Sequence, residues 1–140
     1  GMKRFDVDNL SSLVIRAAIN VHKVFGPSLL ESIYQSSMVI ELGLMGIEVL
    51  TEVPLHVSYK GRKIPNVGLR LDLLVEDTII VELKSVEEIQ PVHKKQLLTY
   101  LRLAGKPLGL LINFNTTLLR EGITRVISSP QGDGNAARFR

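Results

Sequence analysis

The sequence predicts an α/β chain of α+β character, in which helices flank a central mixed sheet of four or five strands. Three observations point there. Apolar residues recur at helical spacing over two early segments, at alternate positions between residues 47 and 84, and at helical spacing again before an apolar run near residue 110. The order helix, helix, three strands, helix, strand and a further short strand fits one sheet with helices on its faces.

Each element carries its own signal. Asp8 or Asn9 can cap a first helix running to about Phe25, with Leu13, Ala17, Val21 and Val24 at helical spacing. Gly26-Pro27-Ser28 ends it. Ser28 is the expected cap of a second helix from about Leu29 to Leu44, and Glu31 stands three residues on, the spacing of a capping box. Ile47 to Tyr59 alternates as an extended strand with Pro54 at a bend or bulge, and Lys60-Gly61 turns the chain. In the next strand Val67, Leu69, Leu71, Leu73 and Val75 occupy alternate positions, so Arg70 and Asp72 fall on the opposite face. The short polar Glu76-Asp77-Thr78 then makes a hairpin with Ile79 to Lys84 and brings Asp72 near Glu82. Pro91 opens a third helix that continues to Ala104, where Gly105-Lys106-Pro107 stops it. Leu108 to Phe114 is a buried strand, and Ile123 to Ile127 a short last one.

Composition bounds the chemistry. A chain of 140 residues can bury a proper core as one domain, expected over residues 10–130. Residues 1–9 are expected as an N-terminal segment, with Gly1 before Met2 as a tag remnant, and 131–140 as a mobile polar tail. The absence of cysteine excludes disulfides, cysteine nucleophiles and thiolate-bound metals, and it fits a reducing cytoplasm. No apolar run approaches the roughly 18 residues of a membrane span, so no membrane partner is expected. His22, His56 and His93 lack the close paired spacing of a zinc helix. No glycine-rich phosphate loop and no nucleophile-elbow serine is present. The net charge of +3 is weak by itself. Two clusters are more specific: Lys60, Arg62 and Lys63 around a turn, and His93, Lys94 and Lys95 at the start of the third helix. With Arg70 they are candidate nucleic-acid contacts, although a solvated hairpin tip and a solvated helix face describe each cluster better when it is taken alone.

The chemistry concentrates in Arg70 to Lys84. Glu82 and Lys84 are two residues apart on a strand and point together, with Asp72 brought alongside by the hairpin. Two carboxylates supply hard oxygen ligands for Mg2+ or Mn2+. The competing reading is a surface cross-strand charge pair, worth about 0.2–1 kcal/mol. The apolar neighbours Ile79, Ile80, Val81 and Leu83 oppose it, because burying charge without a role is costly. On the following helix Gln96 and Tyr100 stand four apart and share a face, either at the rim of the carboxylates or as an exposed helix former and an ordinary half-buried aromatic.

Taken together, the Asp72 strand, Glu82-Leu-Lys84 and Gln96-x-x-x-Tyr100 resemble the PD-(D/E)XK nuclease superfamily, in particular its RecB-like branch. Val21-His-Lys-Val-Phe-Gly-Pro-Ser-Leu-Leu-Glu-Ser-Ile-Tyr34, Val81-Glu-Leu-Lys-Ser85 and Pro91-Val-His-Lys-Lys-Gln-Leu-Leu-Thr-Tyr100 are similar to the GxxExxY proteins of that superfamily. The first glycine of that motif is Ser28 here, and no proline precedes Asp72. The resemblance implies a restriction-endonuclease-like core and a Mg2+- or Mn2+-dependent nuclease acting on nucleic acid, DNA by preference, in repair, recombination, defence or turnover. Asp72, Glu82 and the Leu83 backbone carbonyl would hold the metal. Lys84 would position water and offset transition-state charge, while Gln96 and Tyr100 would orient phosphate or a metal-bound water. Glu31 matches the acid that an early helix contributes, and competes with its capping-box role. A nuclease fold that binds nucleic acid without turnover is the alternative, and a homodimer or larger complex would supply substrate grip.

Overall fold

The computed structural model describes residues 5–128 and 137–139. Helix α1 spans Val7–Phe25 and α2 spans Glu31–Leu44. Strand β1 (Val49–Pro54) leads into a small hairpin of β2 (Ser58–Tyr59) and β3 (Arg62–Lys63), followed by β4 (Arg70–Val75) and β5 (Ile79–Lys84). Helix α3 (Pro91–Ala104), β6 (Leu108–Asn113), a 3-10 turn at Leu119–Gly122, β7 (Ile123–Ser128) and β8 (Ala137–Phe139) complete the order. Among the described residues no helix is long and apolar enough to cross a membrane.

The sheet runs β1-β4-β5-β6-β7-β8. Only β5 and β6 are parallel, joined by α3 as a crossover, and every other neighbouring pair is antiparallel. This is the mixed sheet expected, with β8 as a sixth strand at one edge. Ala137–Phe139 therefore pair with β7 rather than forming a loose tail, while 129–136 and 140 lie outside the described residues. At the other end α1 begins at Val7, three residues before the expected domain start.

Two apolar layers sandwich the sheet. On one side α1 and α2 pack Val14, Ala17, Tyr34, Met38 and Leu42 against Leu73, Val81, Leu83, Leu110 and Ile112. On the other, Leu97, Tyr100 and Leu101 of α3 cover Leu74, Ile80, Leu111 and Val126. A Cβ on Gly109 would lie 2.8 Å from Leu97 side-chain atoms, so the glycine lets α3 sit close to β6.

Local details depart from expectation in three places. Asp6, not Asp8 or Asn9, caps α1, its carboxylate accepting from Asn9 N at 2.8 Å. The Ser28 to Glu31 capping box does not form. Ser28 adopts φ +75°, the glycine region, and its hydroxyl donates to Asn115, leaving Leu30 to cap α2 without a side-chain bond. The single extended strand expected from Ile47 to Tyr59 ends at Pro54, and Ser58–Tyr59 join the separate hairpin.

Candidate active site

The registers collect one set of element ends on a single edge of the sheet. Pro54 ends β1 opposite Arg70, which begins β4, and Lys84 ends β5 beside Asn113, which ends β6. The pairing of β4 with β5 stops at Leu73 and Val81. Asp72 and Glu82 stand one step beyond, where the strands part.

Parted strands leave backbone donors that must find partners. Here the two acids supply them reciprocally. Asp72 N donates to Glu82 Oε2 at 2.8 Å, and Leu83 N donates to Asp72 Oδ2 at 2.9 Å. Each carboxylate thus has one oxygen anchored to the opposite strand. Alternation in β4 breaks here too. Leu71 packs on the α3 side with Leu74, whereas Leu73 and Val75 pack on the side of α1 and α2, so the single apolar row expected from Val67 to Val75 is split. Freedom from the ladder with β5 permits that rotation.

The pair is electrostatically incomplete. Burial is the main cause that pushes the Glu82 carboxyl up to about 8; the charge of Asp72 adds to it, against the Asp72 N–H and Lys84, which favour the ionised form. Asp72 is also raised, by burial first and then by Glu52 and Glu31, despite the Leu83 N–H and Lys84. Burial first, then the charges of Glu82 and Asp72, raise the Tyr100 phenol, which places its hydroxyl within their field from α3. A divalent cation would relieve all of these costs together.

Glu31 is exposed at the first turn of α2, and its carboxylate accepts from Ser85 N at 3.2 Å, just past Lys84. It therefore ties α2 to the end of β5 instead of capping its own helix. Tyr34, one turn on, donates to Gly26 O at 2.6 Å, accepts from Leu29 N at 3.1 Å and stacks on Phe114 with ring centroids 4.2 Å apart. These bonds clamp the turn that presents Glu31. Lys84 is half-buried and, among the described residues, in no ion pair. Gln96 is exposed, and its side chain makes no hydrogen bond among the described residues.

The basic candidates divide. His93 Nδ1 accepts from Gln90 N at 3.0 Å, so His93 closes a capping box at the start of α3. Lys60, Arg62 and Lys63 are exposed on the hairpin between β1 and β4, and Lys95 is exposed on α3 with Lys94 half-buried. Arg70 is exposed and reaches Glu52 O at 3.4 Å.

Two residues escaped the sequence reading. Glu52 in β1 holds φ +50°, a left-handed conformation that costs a non-glycine residue of order 1–3 kcal/mol. Gln35 of α2 donates through Nε2 to Glu52 Oε2 at 3.2 Å and to the Asp72 carbonyl at 3.0 Å. The Gln35 side chain has the one available signal, a position one helical turn after Glu31.

Among the described residues no three His, Cys, Asp or Glu side chains stand close enough to enclose a metal. Asp72 and Glu82 do suit Mg2+ or Mn2+. Mg2+ in particular is bound through one or two carboxylates and keeps its remaining positions for water and phosphate. Comparisons with known proteins agree with this chemistry at the level of family. Searches of curated proteins and of solved structures found no match. A family model described as the PD-(D/E)XK nuclease superfamily matches residues 8–126, a span that takes in both acids, Lys84 and all three helices except the first residue of α1. By that match, over most of its 140 residues, the chain belongs to the PD-(D/E)XK nuclease superfamily.

Proposed function

We propose that the protein is a metal-dependent nuclease that hydrolyses phosphodiester bonds, with DNA as its substrate. The observation that carries this reading is the pair of half-buried Asp72 and buried Glu82 at the parting of β4 and β5, anchored by one oxygen each and short of compensating charge. Lys84 follows two residues after Glu82 on the same strand. The closer likeness to the GxxExxY proteins rests on Glu31, Tyr34 and the Pro91 to Tyr100 segment.

Asp72, Glu82 and the Leu83 carbonyl would hold Mg2+ or Mn2+, with Glu31, bonded to Ser85 N just past Lys84, adding its charge beside them rather than a direct ligand. When bound, the ion polarises a phosphoryl oxygen and lowers the pKa of coordinated water. Lys84 positions the attacking water and offsets the charge that grows on the equatorial oxygens. Tyr100 donates its hydroxyl toward the phosphate, and Gln96 orients substrate from the rim of α3. Lys60, Arg62, Lys63, Arg70, Lys94 and Lys95 contact the backbone of the nucleic acid, with His93 ordering the start of α3 beside them. A homodimer or larger complex extends that grip beyond one small domain.

The test is cleavage of labelled single- and double-stranded DNA and RNA in Mg2+ or Mn2+, with EDTA and Glu82→Gln protein as controls. Products that require metal and vanish in the variant are expected, on DNA first. Binding without products in every lane would replace this reading with that of a nuclease fold that only binds.

A further inference from the structure

We propose that Gln35, held by Glu52, is a positioning residue that sets the backbone at Asp72 and so aims its carboxylate. This rests on the nuclease reading for its catalytic meaning, but its geometry stands independently.

Strand β1 pairs with β4 at Thr51 and Leu73 and again at Val53 and Leu71. Between these pairs, at Glu52 and Asp72, the ladder is interrupted. Glu52 has turned to φ +50°, and the Asp72 carbonyl accepts from Gln35 of α2. One amide nitrogen thus bonds the Asp72 carbonyl at 3.0 Å and the Glu52 carboxylate at 3.2 Å. An amide NH2 has two hydrogens, so both bonds can form at once. The carboxylate fixes which way the amide faces, because reversing it would present the Gln35 carbonyl to two acceptors. On the other side of the same residue, Asp72 N and Oδ2 bond across to β5. Asp72 is therefore gripped from α2 through its carbonyl and from β5 through its amide and side chain. Residues that orient a ligand in this way commonly change metal affinity or activity by about 10–100-fold when removed.

Glu52 as a hydrogen-bond acceptor and Glu52 as a metal ligand make different demands. Glu52→Gln keeps an acceptor oxygen for Gln35 but removes the charge; Glu52→Ala removes both, and Gln35→Met keeps the length of the side chain while removing its donors. Two readouts do not depend on turnover: amide hydrogen exchange at Leu83, whose N–H rests on Asp72, and Mn2+ affinity by titration calorimetry. Gln35→Met and Glu52→Ala are expected to speed Leu83 exchange and to weaken Mn2+ binding about tenfold. Glu52→Gln should remain within about threefold of the parent, and Gln35→Met with Glu52→Ala should be no worse than either alone. Unchanged Leu83 exchange in Gln35→Met would overturn the inference, as would Glu52→Gln behaving like Glu52→Ala. Variants that show these exchange and Mn2+ effects, in a parent protein that cleaves no substrate, would instead overturn the nuclease reading and leave the positioning role in place.

Discussion

At the scale of the residue, Asp72 and Glu82 hold the backbone with the same carboxylates that the proposed function assigns to the metal. Each closes a backbone bond that the parted strands would leave open, and an orphaned buried donor costs about 1–3 kcal/mol. Replacing either acid with alanine therefore mixes two effects, whereas Glu82→Gln keeps an acceptor oxygen and removes only the charge. The folded carboxyl sits at about 8 against 4.5 in the open chain, so the fold retains a proton that the unfolded chain has lost between those values. Its contribution to metal-free stability is complete below pH 4.5 and disappears as pH rises through 8. Urea denaturation in EDTA should accordingly show Glu82→Gln more stable than the parent at pH 8.5, by on the order of 1 kcal/mol or more, with the advantage shrinking at pH 5. An equal difference at both pH values would refute the charge burial. The acids and Lys84 were legible in the chain because they interrupt apolar strands. Glu52 and Gln35 were not, since their roles come from contacts across 17 and 37 residues and from a backbone angle that no local pattern announces.

At the scale of the element, α3 is set by a glycine on the strand beneath it. Leu97 occupies the space where a Gly109 side chain would begin, and Tyr100 lies three residues along the same helix face, within the field of the carboxylates. Gly109→Ala should lift α3 from β6 and cost about 1–3 kcal/mol of stability through overpacking. The same displacement moves the Tyr100 hydroxyl, so metal-dependent kcat should fall more than KM changes. Adding Leu97→Val, which frees room for the new methyl, should restore part of both; a double variant no better than Gly109→Ala would contradict this packing account. Strands β4 and β5 and helix α3 were readable because burial on one or both faces enforces their apolar spacing. Caps were less so. Asp6, Asp8 and Asn9 offer similar chemistry within four residues, and Ser28 looked like a cap until its φ of +75° placed it in a turn that favours glycine. The small β2–β3 hairpin hid inside a continuous alternation, in which Pro54 reads as a bend within one strand although it is the end of β1.

For the whole molecule, the polarity of the sheet decides which basic residues share an edge with Asp72 and Glu82. The hairpin bearing Lys60, Arg62 and Lys63 joins the end of β1 to the start of β4, two residues before Asp72, and α3 begins just past the end of β5. Basic clusters about 30 residues apart in the chain therefore lie at the edge that carries the acids. The hairpin also exposes Tyr59, 64% accessible with Lys60 Nζ 5.4 Å from its ring centre, a pairing of aromatic face and cation suited to an unstacked base and its phosphate. Phosphate neutralisation releases counterions, so each lost contact reduces the slope of log K against log salt by about 0.9 on duplex DNA. Replacing Lys60, Arg62 and Lys63 together with serine should weaken DNA binding and flatten that slope by about 2–3, measured by anisotropy in Ca2+. Mn2+ affinity in the absence of nucleic acid should stay within twofold, because none of the three touches Asp72 or Glu82. If the slope is unchanged, the hairpin is a solvated surface and the DNA path runs over α3 instead. If Mn2+ affinity falls with it, the hairpin supports the site itself, and the separation of grip from chemistry along this edge is wrong.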